Sequence, residues 1–349
     1  MKVNIFKKLY FPLLLLILTT HLFGQSEDTT SSNDLHYPAP LLSLDGRYTH
    51  HVLVAEKSTH LLYLYKNKSG IPELIKTYQM VTGKKTGDKL NEGDLKTPEG
   101  IYQFIDFMTH KELMTKSGPT GIIYGAGAFV MNYPNPYDDK MGKGGSGIWL
   151  HSTNDEARLD RGLDSRGCVV TANNDLIDLS KYIELHKTPI VVVQDLFFLS
   201  EKSFNVKKTE IEKMINGWLA AWRSKNIEEY MSYYHPTDFT DIRGNFNKYR
   251  TYKAAVFSNP GKPKIDFENV SILATKDYAV VNFTQKYQSS TINDTGKKTL
   301  YLKLDANYNW KIINEIWSEK GFNESDKVAF SPSLRFFKDD QYNQHKKEN

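Results

Sequence analysis

Ile148-Trp149-Leu150-His151 and Ser165-Arg166-Gly167-Cys168 are the two stretches on which the reading of this chain turns. The first is an apolar run that ends on a histidine. The second carries the single cysteine of the sequence, seventeen positions later. A thiol is a useful nucleophile only as thiolate, and a neighbouring imidazole can hold a Cys–His pair in the ionised form near neutral pH. A free cysteine is also among the most often buried residue types and can serve as a small hydrophobe. The thiol by itself leaves both readings open.

The N-terminus weighs toward reactivity. Met1-Lys2, Lys7 and Lys8 precede the apolar run Leu13 to Leu18 and the polar Gln25-Ser26-Glu27-Asp28. This is the pattern of a signal peptide over residues 1–24 with cleavage near Gly24; it is short for a membrane span, and an uncleaved anchor stays open. The expected location is the periplasm. There a lone thiol has no intramolecular disulfide partner and becomes a candidate reactive group. Of the 349 residues, 40% are hydrophobic and 25% charged, which suits globular folding in two domains. The net charge of +4 falls to +1 once the three leader lysines are set aside, which argues against nucleic acid as a partner. Ser26 to Asp34 is small, polar and acidic, and residues 25–47 read as a linker or N-terminal arm.

From residue 48 to 196 the pattern is mostly strand. Val52-Leu53-Val54-Ala55 and Leu61-Leu62-Tyr63-Leu64-Tyr65 flank Lys57-Ser58-Thr59 as a hairpin would. Further β-like runs cover 77–82, 100–104, 128–131, 148–150 and 190–193. A helix is expected from Asp175 to Leu185 with Asn174 as its N-cap. Cys168 then lies in the connection feeding that helix, whose positive end would favour thiolate.

Thr97-Pro98-Glu99-Gly100-Ile101-Tyr102 resembles the T-P-x-G-x-[YF] segment of the YkuD, or L,D-transpeptidase, catalytic domain. His151 followed by Ser165-x-Gly167-Cys168 resembles its H-x(13)-S-x-G-C signature, and Tyr133-Pro134-Asn135 with Asp138 resembles the branch containing cell-shape L,D-carboxypeptidases. The resemblance spans Thr49 to Asp195. It implies a mostly-β YkuD-type catalytic domain with no cofactor, acting on peptidoglycan stem peptides. It also implies roles: Cys168 as the nucleophile that attacks an L-centre to D-alanine amide and leaves a thioester, and His151 as general acid/base. The Ser152 carbonyl would orient the ring, and the main-chain N–H groups of Gly167 and Cys168 would bind the oxyanion. Many transpeptidases read S-H-G-C-[IV]-R, whereas this chain has Arg166 before the glycine and Val170 in place of the last arginine. A substrate carboxylate clamp is then left to Arg166, Arg161 or Arg158, with Trp149 and Tyr133 as further candidate substrate contacts. Asp155, Asp160 and Asp164 read as solvated loop carboxylates.

Residues 206–320 read as a second domain and 321–349 as a C-terminal tail, polar and fraying from Gln341 on. Thr209-Glu210-Ile211-Glu212 has the form of a capping box, and Ile211, Met214, Ile215, Trp218, Leu219 and Trp222 follow at helical spacing. The aromatic stretch Tyr230 to Phe239 leads to strand-like runs at 278–283, 299–304 and 310–317, and helices followed by a meander indicate α+β. Order and the W-x-x-x-W opening resemble the nuclear-transport-factor-2-like fold over about Lys208 to Ser318. Trp218, Trp222, Tyr233 and Tyr234 read as core, and no acid/base pair emerges. The domain therefore reads as an accessory module for a cell-wall or protein partner; a homodimer stays open. The pairing of the two domains resembles L,D-carboxypeptidases that trim stem peptides in curved and helical bacteria, which tips the expected reaction toward hydrolysis. Transpeptidation is the alternative, and a non-catalytic wall-binding protein the third reading. A metal hydrolase finds no support, since the ten histidines include no H-E-x-x-H and one cysteine cannot build a thiolate zinc site.

Overall fold

The computed structural model describes residues 35–320, Phe322 and residues 330–337. The expected signal peptide at 1–24, the Ser26 to Asp34 linker and the tail from Gln341 lie outside the described residues.

Short β-branched and leucine-rich runs build an eight-stranded sheet. Its strands lie in the order Val169–Val170, Trp149–His151, Gly127–Met131, Gly100–Thr109, Pro189–Val193, His51–Glu56, Leu61–Lys68, Ile71–Gln79. Val169–Val170 runs parallel to Trp149–His151, and Pro189–Val193 parallel to His51–Glu56; the other neighbours are antiparallel. His51–Glu56 is buried at every residue because successive side chains point to opposite faces and both faces are covered. Leu53 and Ala55 enter one core, Val52 and Val54 another. The helix after the cysteine is shorter than its periodicity predicts. It runs Asn173–Ser180, and its N-cap, Ala172, has no side-chain cap; Asn174 lies inside it. A neighbouring segment supplies the cap instead, with Asn173 N–H donating to the Glu156 carboxylate at 3.0 Å.

The second domain holds helices Glu201–Ser224, Ile227–Ser232 and Phe246–Ser258, then the antiparallel meander Lys264–Ala274, Ala279–Gln288, Asn293–Leu304, Trp310–Ser318. The expected apolar stripe is buried, from Ile211 through Trp218 to Trp222. The expected start is corrected. Ser200 is the N-cap, accepting from Ser203 N–H, so Thr209 is mid-helix and the domain begins before residue 206. The strand Lys264–Ala274 had no clear signal, because its exposed charged residues dilute the alternation.

Reading residues 25–47 as a linker is corrected where the chain is described. His36–Pro38 pairs antiparallel with Phe198–Ser200, and Ser43 exchanges two backbone hydrogen bonds with Ile272, at 3.0 and 2.8 Å. Leu42 is buried in the core of the second domain, while Leu41 and Leu44 join a core shared by both domains. The tail reading is corrected for residues 330–337 as well. Phe330 stacks on His50 at 3.8 Å, Arg335 pairs with Glu184 at 3.2 Å, and Phe336 packs against Phe107 and Phe129. This segment returns from the second domain and closes over the first.

The shared core carries a prediction. It joins Val52, Val54, Tyr65, Ile101, Tyr137 and Val191 of the first domain to Leu273, Tyr278, Val280, Tyr301 and Ile313 of the second. Uncovering an apolar side chain costs about 1.5–3 kcal/mol. Exposing the first-domain half of this core therefore costs on the order of 10 kcal/mol, comparable with the whole stability of a typical domain, about 5–15 kcal/mol. A chain ending at Asp195 is expected to lose cooperative thermal unfolding by circular dichroism. A sharp melt near that of the full chain would show that the domains are energetically separable.

Candidate active site

Strand pairing brings the cysteine to the histidine. Val169 is opposite Leu150 and Val170 opposite His151, so Cys168, one residue earlier, is level with Trp149. Side chains two apart share a face, which puts Cys168 on the side of the sheet edge from which Trp149 and His151 project. Tyr124 completes the group. Its ring lies 5.0 Å from both Trp149 and His151, edge-on to the latter, and burial, with a smaller effect from Cys168, pushes its hydroxyl pKa up.

His151 is buried, and its Nδ1 lies 2.5 Å from the Ser152 carbonyl. A carbonyl only accepts, so the ring proton sits on Nδ1 and Nε2 keeps its lone pair. Ser152 has a second task, its Oγ accepting from Ala126 N–H at 2.7 Å and donating to the Tyr124 carbonyl at 3.2 Å. It thus holds both the imidazole and the segment that carries Tyr124.

The turn before Cys168 is tied by Ser165. Its Oγ donates to the Cys168 carbonyl at 2.6 Å and accepts from Gly167 N–H at 3.0 Å. The expectation that Gly167 supplies an oxyanion donor is therefore corrected: its amide is already engaged. The Cys168 N–H has no protein acceptor among the described residues and is the remaining donor. Gly167 is needed for shape, with φ at 131° and a position where a Cβ would lie 2.8 Å from the Lys96 carbonyl.

Electrostatics also differ from the expectation. Cys168 is half-buried, and desolvation pushes its thiol up to about 11 against the opposing Trp149 N–H and Lys89 charge. Burial lowers His151 to about 4, with Arg158 adding to it and Ser152 opposing. Both shifts favour neutral forms, and the thiol points to the Gly147 carbonyl at 3.6 Å. Burial thus works against the thiolate expected near neutral pH. The helix end gives no help, since the Glu156 carboxylate already occupies it.

A family model for the YkuD, L,D-transpeptidase catalytic domain matches residues 50–192, and one for the Cds6 C-terminal NTF2-like domain matches residues 210–316. The structure of Bd1075 from Bdellovibrio bacteriovorus is similar at 30% identity and a TM-score of 0.70, over 81% of this chain and 98% of that one. The chain belongs to the YkuD family. Its fold is also that of the helical cell shape determining protein Pgp2 from Campylobacter jejuni, with 24% identity and a TM-score of 0.62 over 80% of this chain and 95% of that one. No match was found among curated proteins. The chain is thus an L,D-transpeptidase-family cysteine enzyme by its YkuD domain, followed by an NTF2-like domain.

Within the YkuD domain the candidate substrate contacts divide. Arg166 is exposed beside Tyr124 and has no ion-pair partner among the described residues. Arg161 leans 3.4 Å from Asp164, and Arg158 is bound to the same carboxylate at 2.6 Å. Asp164 is thus a paired carboxylate and not a solvated one. Trp149 is half-buried against Tyr124 at the site. Tyr133 is corrected: it is buried, and its hydroxyl donates to the Gly144 carbonyl at 3.0 Å, so it braces a loop. Among the described residues no cluster of His, Cys, Asp or Glu could hold a metal ion.

The NTF2-like domain holds a charged cavity that sequence reasoning missed. It measures about 570 Å³ and is lined by Trp222, Tyr287, Lys253, Lys298 and Glu315. Burial alone would raise the Glu315 carboxyl, but Lys298, Lys253 and the hydroxyls of Tyr249 and Tyr234 hold it down to about 2. Burial pushes Lys253 down to about 8, its ammonium standing 4.7 Å from the Trp222 ring. Trp218 and Tyr234 are core, as expected, whereas Trp222 is both core and lining. The available signal was one acid, Glu315, inside the strand-like run Trp310–Ser318.

Proposed function

We propose that the protein is an L,D-carboxypeptidase that removes the terminal D-alanine from tetrapeptide stems of peptidoglycan. The observation that carries this reading is a half-buried Cys168 on the same sheet face as a buried imidazole whose free nitrogen is set by the Ser152 carbonyl. In the first step His151 Nε2 takes the thiol proton as sulfur attacks the amide carbonyl, and the Cys168 N–H binds the oxyanion. Collapse of the tetrahedral intermediate returns that proton to the leaving D-alanine amine and leaves a thioester. Water, deprotonated by the same nitrogen, then attacks the thioester, and the acid leaves as the expelled Cys168 sulfur takes that proton back from His151. Deprotonation on demand suits a pair whose neutral forms burial favours.

Arg166 is the exposed cation able to pair with the substrate's terminal carboxylate. Water as acceptor is favoured by Val170, which is fully buried where many transpeptidases of the family carry an arginine. The NTF2-like cavity serves as a docking pocket for wall peptide. The leader read at 1–24 supports export to the periplasm. Trimming of this kind is in keeping with the cell-shape protein whose fold the chain shares. The test is incubation of the mature protein with disaccharide tetrapeptide, followed by mass analysis. Tripeptide with free D-alanine is expected; cross-linked dimers or exchanged D-amino acids would make it a transpeptidase, and no product would leave a wall-binding protein.

A further inference from the structure

We infer that Tyr278 of the NTF2-like domain is a positioning residue for the Cys168 nucleophile, an inference that rests on the catalytic reading above. Tyr278 is buried at the domain boundary, its ring stacked on Tyr137 at 4.1 Å. Its Oη accepts from Ile101 N–H at 2.6 Å and from Asn135 Nδ2 at 2.9 Å. These bonds stand in for a missing strand. Gly127–Met131 pairs with Gly100–Thr109 only from Phe104 onward, so at Ile101 the neighbouring chain has turned away. An unpaired buried backbone group is costly there. The hydroxyl from the second domain and the Asn135 amide, which also donates to the Ile101 carbonyl at 3.0 Å, fill the gap. Gly100 leaves the room: a Cβ on it would lie 2.7 Å from the hydroxyls of both Tyr278 and Tyr102.

The anchored end leads directly to the active-site turn. Just upstream, Thr97 is buried, its Oγ1 accepting from Gly83 N–H at 2.8 Å and its carbonyl from Lys57 Nζ at 3.1 Å. Lys96, next to it, presses its carbonyl on Gly167, the residue before the nucleophile. Tyr278 thus holds one end of the Lys96-to-Ile101 segment, and Gly167, the residue before Cys168, rests against the other. Releasing Ile101 lets that wall shift. Small displacements of a nucleophile from its base are enough to lower the rate on the order of 100-fold.

The test uses the full chain. Tyr278→Phe keeps the stacked ring and deletes both accepted bonds. Its kcat for D-alanine release is expected to fall about 10–100-fold with KM changed by no more than about twofold. Alkylation of Cys168 by iodoacetamide is expected to slow, and amide exchange over residues 96–101 and 165–169 to quicken. Alkylation and exchange need no substrate, so they judge this inference even if the wild type releases no D-alanine, an outcome that sinks only the proposed function. Tyr137→Leu, which removes the stacking but no bond to the segment, is expected to lower the melting temperature without slowing alkylation. Equal slowing by Tyr137→Leu, or a folded Tyr278→Phe with unchanged alkylation and exchange, overturns the inference. Should Tyr278→Phe not fold, Gly100→Ala presses on the same hydroxyl from the other side, and unchanged alkylation in that variant overturns it too.

Discussion

Cys168→Ala is expected to end D-alanine release from disaccharide tetrapeptide, a loss on the order of 10⁶-fold, the scale on which hydrolases lose turnover when the nucleophile is removed. The chain has no second cysteine to take over. The fold should survive. Cys168 is half-buried on the edge of a small cluster of Val81, Leu159 and Val170, so losing one sulfur atom opens little space. Cys168→Ser should be nearly as inactive, because His151, held near 4, is a weak base for a hydroxyl that is far harder to ionise than a thiol. Mass analysis of products decides the matter, with circular dichroism as the control. Substantial turnover by either folded variant rules out a thioester.

His151→Ala is expected to lower kcat by roughly 10²–10⁴-fold, the usual contribution of a general acid/base. Its pH behaviour follows from burial. With the imidazole lowered to about 4, the base is available above that value, so kcat/KM should fall as pH drops through about 4 and not near 6.5. With the thiol raised to about 11, alkylation of the free enzyme should keep rising with pH toward that value. Stability changes in the same direction. The unfolded histidine, near 6.5, binds a proton that the folded one refuses down to about 4. The associated stability is present above 6.5 and lost as pH falls through that window. A kcat/KM break between pH 6 and 7 that disappears in His151→Ala would mean the ring is solvated and ionises normally, and the buried-base assignment would be wrong.

Much of this protein was legible as a string because its signals are local. Alternating and continuous apolar runs identify the strands around 52–55, 61–65, 100–104 and 190–193, and helical spacing identifies the stripe from Ile211 to Trp222. The motif pairing His151 with Cys168 is local in the same sense, since adjacent parallel strands turn a sequence spacing into proximity. Caps were less legible. Asn174 and Thr209 have the right chemistry, but Glu156 and Ser200 supply the caps, and a cap is chosen by whichever oxygen tertiary packing delivers to the helix end.

The sequence by itself determined the two fold classes and the family, and singled out Cys168 and His151 as candidate nucleophile and base, because each rests on residue type and spacing. Tertiary structure decided the direction in which burial shifts the two groups, since the desolvation that moves Cys168 to about 11 and His151 to about 4 depends on what surrounds them. It decided that Gly167 shapes the turn while Ser165 uses its amide, that Tyr133 braces a loop, and that Glu315 meets Lys253 and Lys298 inside one cavity. It also decided that the two domains share a core. Tyr278 and Ile101 are far apart in sequence, and no periodicity in either segment records that one satisfies the other's hydrogen bond. Such pairings exist only once the chain has closed on itself, because burial and hydrogen-bond satisfaction are properties of surroundings and not of residues.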